Sequence, residues 1–382
     1  MIIGIVTFWE AFDNYGQALQ CWALQQSLKD LGHQPFVVRY KLNGLSPKSV
    51  PDLLGKVLHS TYNNLKMLLR GEYRESVKQH KNIKKRDFES FRQEHYQFSE
   101  KEYFSFEELS LDPPQADVFI AGSDQIWGWR IGDKESDVFF LGFGGSDVRR
   151  IAYAPSFGIK EYPNDLKDDL KNKLARFDAL SVREKTGVNI CSDAGFNAEH
   201  VLDPTLLLHG GQYDEIAEKV NFQEPYIFVY SINIKSAEEL CWKELKSYAD
   251  AHNTTVVATT SSGYVPAKEL LSGASYVYPT VEGWLNRIKN STLVVTTSFH
   301  GIAFSINLHK PFVYVPLGGS HSSGNNRVTE LMDALGLRGR ELTNERTIEE
   351  VINTPIDWQN VEQCLNERRE KSIAYLNQAL KL

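Results

Sequence analysis

The chain has 382 residues, of which 42% are hydrophobic and 24% are charged, and this composition excludes the disordered and fibrous classes of protein. Its net charge of −7 argues against a nucleic acid as the main partner, because proteins that follow a phosphate backbone carry a basic excess. The four cysteines are scattered without metal-ligand spacing, which favours reduced thiols, and the length suits two domains.

No apolar segment reaches the length of about 18 residues that a transmembrane helix needs. The apolar start of the chain, residues 2–8, is too short for a signal peptide. We therefore expect a soluble, cytoplasmic protein. The basic segment 78–95 favours a solvated helix face, and the alternative is peripheral contact with the inner face of a membrane.

The start of the chain predicts an α/β domain. Residues 2–40 have the pattern of a buried strand, an amphipathic helix and a second strand. The loop after the first strand holds Asp13, Asn14 and Gln17, which places polar side chains at the carboxyl edge of a parallel sheet. These side chains suit a sugar or a nucleotide; the alternative is that Asp13 and Asn14 only cap the helix.

A second polar turn follows a predicted insertion. Residues 42–109 are predicted to be a mostly helical insertion, and the strand pattern resumes before the segment AGSDQIW at 121–127. The turn supplies small side chains and a carboxylate, so we expect Asp124 and Gln125 to orient a hydroxylated substrate. The alternative for Asp124 is a helix cap.

Arg183 lies at a predicted strand-to-helix junction in the segment LSVREKTG. A guanidinium there can hold a phosphate or a carboxylate through two parallel hydrogen bonds, and the alternative is a salt bridge with Glu184. Residues 202–206 contain a proline that fixes a turn, and they are predicted to form the hinge between two halves of the chain.

The segment 291–316 predicts a strand, a helix and a strand, with His300 at the first junction. The first N–H groups of a helix lack partners and carry the positive end of its dipole, so this junction suits an anion. The alternative is that Ser298 is only a helix cap and His300 a polar turn residue. Arg327 lies at the start of a later helix, where a cation opposes the dipole, and this favours a shared anion.

Six motifs in this order resemble those of the polysaccharide pyruvyl transferase family. They are DNYG (13–16) with LQ (19–20), AGSDQIW (121–127), LSVREKTG (180–187), VLDPTLLL (201–208), SFHG (298–301) with HKPFVYV (309–315), and NNRVTELMDALGL (325–337). The resemblance covers nearly the whole chain except the insertion and the C-terminal tail. It implies an α/β fold of two Rossmann-like domains that face a cleft, similar to GT-B glycosyltransferases.

The resemblance also implies a reaction. The enolpyruvyl group of phosphoenolpyruvate is moved onto two hydroxyls of a sugar as a cyclic ketal, phosphate leaves, and the product serves surface or capsular polysaccharide biosynthesis. In the family, the arginine of an S-x-R-[DE] motif and the histidine of an H-G motif bind phosphoenolpyruvate, and these are Arg183 and His300 here. The expected acceptor is a sugar, a nucleotide sugar or a lipid-linked saccharide, with no cofactor and no metal.

Ketal formation needs cations for the donor and groups that transfer protons. We expect His300, Arg183 and Asp124 to be catalytic, with Asp13 and Glu184 as alternative bases. The residues expected to bind the donor are Arg183, Ser298, Phe299, His300, Gly301 and Arg327. Those expected to bind the acceptor are Asp13, Asn14, Tyr15, Gln17 and Gln125.

The predicted domains are residues 1–203 on the acceptor side, residues 204–357 on the donor side, and a helix over 358–382 that packs back on the first domain. Two other functions stay open. One is a nucleotide-sugar glycosyltransferase or epimerase of the same architecture, because a helix start with His and Arg also binds a diphosphate. The other is a non-catalytic protein that binds a saccharide.

Overall fold

The computed structural model describes residues 1–42, 81–82, 84–263 and 267–381. The described chain contains two open sheets of five parallel strands each and one two-stranded pair. The first sheet consists of β1 (Ile2–Val6), β2 (Gln34–Tyr40), β3 (Phe98–Tyr103), β4 (Val118–Ala121) and β5 (Arg149–Ala152). The small pair consists of β6 (Ser181–Val182) and β7 (Glu199–His200). The second sheet consists of β8 (Tyr226–Ile232), β9 (Thr255–Ser261), β10 (Ser275–Tyr276), β11 (Leu293–Thr296) and β12 (Phe312–Tyr314). We call the parts built on the two five-stranded sheets the N-terminal half and the C-terminal half.

Helices cover both sheets. Those of the first half of the chain are α1 (Tyr15–Asp30), α2 (Phe88–His95), α3 (Phe106–Leu111), α4 (Lys167–Leu174) and α5 (Lys185–Asp193). The later ones are α6 (Pro204–Leu207), α7 (Gly210–Ile216), α8 (Trp242–Ala251), α9 (Val281–Asn290), α10 (Phe299–Asn307), α11 (Asn325–Ala334), α12 (Ile348–Asn353) and α13 (Trp358–Lys381). Among the described residues, no helix is both long and apolar enough to cross a membrane.

The two large sheets have the same strand order. It is β3-β2-β1-β4-β5 in the first sheet and β10-β9-β8-β11-β12 in the second. The chain therefore winds outward from β1 to one side and then returns to the other side, and the same happens at β8. This reversal opens a crevice at the carboxyl ends of β1 and β4, and another at those of β8 and β11, which is where open parallel sheets bind ligands. The predicted α/β class with two Rossmann-like sheets is confirmed.

The central strands have continuous apolar sequences, because helices cover both faces of a parallel sheet and bury the side chains on each face. All residues of β8 except its last are buried, and so are all residues of β11. In the register between these strands, Val294 is the partner of Phe228. The strands predicted from these two runs thus lie at the centre of the second sheet.

The two halves share one hydrophobic core, and Tyr15 lies where they meet. Its ring stacks on that of Trp284 with 5.1 Å between centroids and 5° between planes. Its hydroxyl donates a hydrogen bond of 2.9 Å to the carbonyl of Pro279. Burial raises the pKa of Tyr15 to about 12, so the hydroxyl keeps its proton. The core around this stack includes residues of both sheets, from Ile3 in β1 to Val294 in β11.

The predicted insertion contains a strand. The sequence predicts mostly helix over 42–109; in the described part of this range the structure has α2 and the start of α3, and it also places β3 there, at the edge of the first sheet beside β2. The sequence of β3, FSEKEY, has charged residues at its exposed positions, as is common at sheet edges, so it lacks the apolar run of a central strand. Helices α2 and α3 flank it. Residues 43–80 and 83 lie outside the described residues.

The segment 202–206, which the sequence predicts to be a hinge, is buried, and it contains the N-cap and the start of helix α6. Asp203 is 1% exposed and Thr205 is fully buried. An Asp203 carboxylate oxygen accepts a hydrogen bond of 3.0 Å from the backbone N–H of Thr205, and Pro204 occupies the first helical position, where its missing N–H costs nothing. Helix α6 packs on α1. Pro204 therefore fixes a helix start inside the protein rather than an exposed linker.

Helix α13 crosses from the junction of the halves to the first sheet. The Tyr375 hydroxyl donates to the carbonyl of Ala152 at 2.9 Å, and Arg149 donates to the carbonyl of Leu380 at 2.9 Å. Nearer its start, the Arg369 side chain donates to the carbonyl of Leu206 at 2.8 Å. Helix α13 therefore contacts both β5 and α6. The domain limits and the assignment of halves to donor and acceptor stay predictions.

The shared core predicts that the two halves unfold together. We expect Tyr15→Ala to lower the free energy of unfolding by about 3–5 kcal/mol, the range for deleting a buried aromatic ring. Tyr15→Phe keeps the stack and loses only the hydrogen bond to Pro279, so its expected cost is about 1 kcal/mol. Urea unfolding followed by circular dichroism and fluorescence measures both effects. Two separate transitions, with Tyr15→Ala shifting only one, would contradict a shared core.

Candidate functional site

A cavity of about 410 Å³ lies between the two halves, at the carboxyl ends of the central strands. The N-terminal half lines it with Phe8, Asn14, Gln17, Asp124, Gln125, Gly128, Trp129, Arg130, Phe157, Gly158 and Ile159. The C-terminal half lines it with Ile232, Asn233, Gly263, Thr297, Ser298, Phe299, His300, Leu317, Gly324, Asn325, Arg327 and Val328. We call these two sets the N-terminal wall and the C-terminal wall. The volume is in the usual range for small-molecule sites, about 300–1,000 Å³.

A wider depression of about 800 Å³ lies at the opposite edge of the first sheet, near Ile2, Gln34 and Phe98. These residues begin their strands, so the depression is at the amino edge. Because open parallel sheets bind ligands at the carboxyl edge, the smaller cavity is the candidate site.

The start of helix α10 forms the centre of the C-terminal wall. Ser298 is the N-cap, and its hydroxyl accepts a hydrogen bond of 3.5 Å from the N–H of Gly301. A Cβ atom at position 301 would lie 2.3 Å from Oγ1 of Thr296, so only glycine lets the helix start this close to β11. The helix begins two residues earlier than Gly301, so His300 lies in its first turn, where the dipole is positive.

The start of helix α1 touches His300 from the other half. A Cβ atom at Gly16 would lie 2.1 Å from both Cγ and Nδ1 of the His300 ring. The backbone of α1 is therefore in direct contact with the imidazole. The first turns of two helices, one from each half, meet at this histidine.

Behind the cavity, a buried carboxylate joins four sequence motifs. One oxygen of Asp203, Oδ2, accepts hydrogen bonds of 2.8 Å from Ser123 Oγ and 2.8 Å from Arg183 Nη1. The same oxygen lies 3.8 Å from Nε2 of His300. Burial alone raises the pKa of Asp203, but the nearby His300 and Arg183 outweigh burial and hold this pKa well below its ordinary value. Asp203 is therefore an anion between the Arg183 guanidinium and the His300 ring.

Arg183 lies behind the C-terminal wall rather than in it. Its side chain is 1% exposed, and its Cζ is 5.2 Å from the centre of the Phe299 ring. Burial alone lowers the pKa of Arg183, and the carboxylates of Asp203, Glu184 and Asp124 outweigh burial and raise it. On the cavity side, Cζ of Arg327 lies 5.9 Å from the same ring. Phe299 thus has one guanidinium at the cavity and one behind it.

Asp124 is the carboxylate of the cavity. Its Oδ2 accepts a hydrogen bond of 3.1 Å from the Gln17 side chain, and its Oδ1 accepts one of 2.8 Å from the N–H of Gln125. Its backbone has φ of 79°, a left-handed conformation that is uncommon outside glycine and clusters at functional sites. The structure thus brings Asp124, Gln17 and Gln125 together on the N-terminal wall, as the sequence predicts.

Other predicted site residues have structural partners. The Asn14 side chain caps α1 by accepting from the N–H of Gln17 at 3.2 Å, and it also lines the cavity. Asp13 accepts a hydrogen bond of 2.8 Å from the N–H of Ser262 and so links the halves outside the cavity. Tyr15 is fully buried in the shared core. Glu184 accepts from the Ser156 hydroxyl at 2.8 Å, is 4% exposed, and does not line the cavity.

Aromatic rings form the outer part of the N-terminal wall. Phe8 and Trp129 each make an edge-to-face contact with the buried Phe139, with centroid distances of 5.1 and 5.3 Å. The Arg130 guanidinium lies over the Trp129 ring at 4.8 Å. Because Phe139 contacts both rings, their positions at the cavity are fixed.

Sequence reasoning missed several of these residues. Asp203 lies in the VLDP motif, but the proline that follows it favours a turn, so the sequence indicates a hinge there and not a site. Trp129 follows the GSDQIW motif closely, so its position beside a predicted polar turn could have indicated that it lines the site. The contact between Gly16 and His300 joins residues far apart in the chain and has no signal in the sequence.

One group of potential metal ligands lies outside the cavity. Among the described residues, ligand atoms of Glu94, His95 and Glu282 are within 4.8 Å of one another. His95 Nε2 is 3.6 Å from a carboxylate oxygen of Glu282, which is the distance of an ion pair. The sequence did not suggest this group, because its members come from α2 and α9.

Comparison with known proteins identifies a family and a fold. The model of the family Polysaccharide pyruvyl transferase matches residues 14–318. No curated protein matches the chain. UDP-N-acetylglucosamine 2-epimerase from Rickettsia bellii is similar with a TM-score of 0.52 and 11% identity, over 99% of this chain and 96% of that one. Another UDP-N-acetylglucosamine 2-epimerase gives a TM-score of 0.52 and 10% identity, over 99% and 95%. At these identities the likeness shows the fold alone, and the predicted similarity to the GT-B architecture is confirmed.

The contact at His300 predicts opposite effects for two glycine substitutions. Gly16→Ala places a methyl group inside the contact distance of the His300 ring, so we expect a loss of about 1–3 kcal/mol in the free energy of unfolding. Gly211→Ala is the matched control, because a Cβ at this helical glycine meets nothing within 4 Å. Its expected effect is between neutral and a gain of about 1 kcal/mol, from the higher helix propensity of alanine. Urea unfolding measures both variants, and a stabilising Gly16→Ala would contradict the contact.

Proposed function

The chain belongs to the polysaccharide pyruvyl transferase family, and we propose that it transfers the enolpyruvyl group of phosphoenolpyruvate onto two hydroxyls of a sugar as a cyclic ketal. One observation carries this proposal. The cavity between the halves has a cationic wall at a helix start and an opposite wall with a carboxylate, amides and aromatic rings. The first wall suits a small polyanion and the second suits a sugar.

The donor half of the proposal rests on the C-terminal wall. Phosphoenolpyruvate carries a phosphate and a carboxylate, and it needs fixed positive groups. His300 and Arg327 line the cavity beside the first turn of α10, whose dipole adds positive potential. In the proposal, Arg327 and the helix start bind the phosphate, and Arg183 adds positive charge from behind Phe299. The motif resemblance implies direct donor binding by Arg183; because Arg183 does not line the cavity, its role in this proposal is electrostatic.

The proposed reaction has two additions. A proton is added to the methylene carbon of the donor, which becomes a methyl group, and a sugar hydroxyl attacks the adjacent carbon to form a new C–O bond. The bond between that carbon and the phosphate oxygen then breaks, phosphate leaves, and a second hydroxyl attacks the same carbon and closes the ring. Of the two hydroxyl protons lost, one balances the methyl group and one is carried away with phosphate or solvent. We assign the proton donation to His300.

Asp124 is the base in this proposal. The sequence leaves Asp124, Asp13 and Glu184 as alternatives, and of these only Asp124 lines the cavity. The other two accept hydrogen bonds from Ser262 and Ser156, respectively. Gln17 fixes one oxygen of Asp124, which orients the carboxylate for a hydroxyl.

The acceptor half rests on the N-terminal wall. Amide and carboxylate groups bind sugar hydroxyls, and aromatic rings bind the apolar face of a sugar. Asn14, Gln17 and Gln125 supply the amides, and Phe8 and Trp129 supply the rings. The acceptor is therefore proposed to be a sugar, free or carried on a nucleotide or lipid, and the location of the protein in the cell stays a prediction.

The donor is tested by thermal unfolding with phosphoenolpyruvate, inorganic phosphate and UDP. We expect phosphoenolpyruvate to stabilise the native protein more than phosphate does, by about 2.7 kcal/mol at a concentration of about 100 Kd. Arg327→Ala removes a charged contact in the cavity and is expected to cost about 1.5–3 kcal/mol of donor binding. Arg338→Ala is the control, because this half-exposed arginine lies on the same half and does not line the cavity. Stabilisation by UDP without any by phosphoenolpyruvate would overturn the proposal in favour of a nucleotide-sugar enzyme.

The proposed acceptor role of the N-terminal wall is tested by Trp129→Ala. Acceptors are first identified by phosphate release from phosphoenolpyruvate in the presence of sugars and nucleotide sugars. We expect Trp129→Ala to raise the KM for the acceptor about tenfold, through loss of about 1.4 kcal/mol of apolar contact. The affinity for phosphoenolpyruvate should stay unchanged, and Trp129→Phe should keep most of the acceptor affinity. An unchanged acceptor KM in Trp129→Ala would remove Trp129 from the acceptor site.

A further inference from the structure

Asp203 does not line the cavity between the halves, but its carboxylate lies beside Arg183 and His300, the two side chains on which the donor site is proposed to depend. It is 1% exposed and is absent from both walls of the cavity. Its Oδ1 accepts hydrogen bonds from the N–H and the hydroxyl of Thr205, at 3.0 and 2.7 Å. Its Oδ2 faces Ser123, Arg183 and His300. The two oxygens therefore have different partners: Oδ1 caps the start of α6, and Oδ2 faces Arg183 and His300.

Some of the nitrogen atoms beside Oδ2 have no hydrogen-bond partner among the described residues, whereas an ion pair that serves stability alone is expected to have its buried donors satisfied. Buried ion pairs are costly unless their remaining donors are satisfied. Arg183 donates to Asp203 and Ser123 through Nη1 alone, and its buried Nη2 has no hydrogen-bond partner among the described residues. Its Nε also has no hydrogen bond there, but it lies 3.8 Å from Oε2 of Glu184, so the salt bridge that the sequence offered as the alternative is present as a long ion pair. Nε2 of His300 is also buried without a hydrogen-bond partner, at 3.8 Å from Oδ2.

The side chains of Arg183 and His300 both lie at the C-terminal wall. Arg183 packs on Phe299, and His300 is itself part of the wall. Hydrogen bonds of catalytic groups are often long in a ligand-free protein and tighten when the substrate binds. The ionisable groups that interact with Asp203 are Arg183, His300, Tyr153 and Tyr213, and Arg183 also interacts with Glu184 and Asp124. Of these groups, Arg183 carries the permanent positive charge.

We infer that Asp203 is a positioning residue of the donor site, which holds Arg183 and His300 at a fixed separation through its Oδ2 atom. The inference rests on the proposed function. Arg183 follows β6, and His300 lies in the first turn of α10 in the C-terminal half. Without the carboxylate, Arg183 would lose the ion pair at its Nη1 and His300 would lose the acceptor that faces its Nε2, so one shared atom would no longer set their separation. Asp203 thus joins parts of the donor site that come from separate regions of the chain.

Two matched substitutions separate this role from a structural one. Ser123→Ala removes a hydrogen bond to Oδ2, and Thr205→Val removes one to Oδ1. Each variant loses one buried hydroxyl contact to the same carboxylate, so the stability losses should be similar, although Ser123→Ala also loses the 3.5 Å contact from Nη1 of Arg183. We expect Ser123→Ala to weaken phosphoenolpyruvate binding about three- to tenfold and Thr205→Val to leave it unchanged, because only Oδ2 faces Arg183 and His300.

Asp203→Asn is the direct test. It keeps the shape of the side chain and removes the charge, and we expect phosphoenolpyruvate affinity to fall at least tenfold. In an assay with an acceptor, the KM for phosphoenolpyruvate should rise while the KM for the acceptor stays constant. A merely structural role would not separate the two. If Asp203→Asn does not fold, the comparison of Ser123→Ala with Thr205→Val decides the question.

The outcomes distinguish this inference from the proposed function. Titration calorimetry first measures phosphoenolpyruvate binding to the wild-type protein. If the wild type does not bind it, the proposed function falls and the inference falls with it. If the wild type binds it and folded Asp203→Asn binds equally well, or if Ser123→Ala and Thr205→Val have the same affinity, the inference alone is overturned.

Discussion

The buried carboxylate of Asp203 is the contact on which the arrangement of the site depends. Removing a charge from water costs several kcal/mol, and that cost is offset only where opposite charges and hydrogen-bond donors surround it. Here the donors are Ser123 after β4, Arg183 after β6 and Thr205 in α6, with His300 from α10 close by. These segments are far apart in the chain. A fold that buries Asp203 must bring all of them to one place, and that place is directly behind the cavity.

The topology of the sheets explains why the place is there. Each sheet reverses its winding at its central strand, and each reversal opens a crevice at the carboxyl edge. The halves pack so that the two crevices face each other, with the first turn of α1 against the first turn of α10. The contact of Gly16 with His300 is part of this packing. One half therefore sets the position of a side chain that belongs to the other.

The sequence allowed much of the fold to be predicted, because the central strands are apolar runs and α1 and α10 follow polar turns. The runs of β8 and β11 carry the signal of parallel strands buried on both faces. Strand β3 escaped prediction because an edge strand with charged side chains has no such run. For the site, the motifs located His300, Asp124 and Gln125 at strand ends. They did not show that Arg183 lies behind the wall or that Tyr15 is in the core, because burial depends on packing between distant segments.

The shared core also determines how the cavity works. In many two-domain enzymes a small interface lets the domains close over the substrate and exclude water. In this protein Tyr15 stacks on Trp284 across the boundary, and α1 touches His300, so separating the halves would expose the core and move the histidine. The walls of the cavity are therefore formed before any ligand arrives. In the proposed function, discrimination between substrates depends on the fixed side chains of the two walls, with His300 and Arg327 on one side and Asp124 and Trp129 on the other.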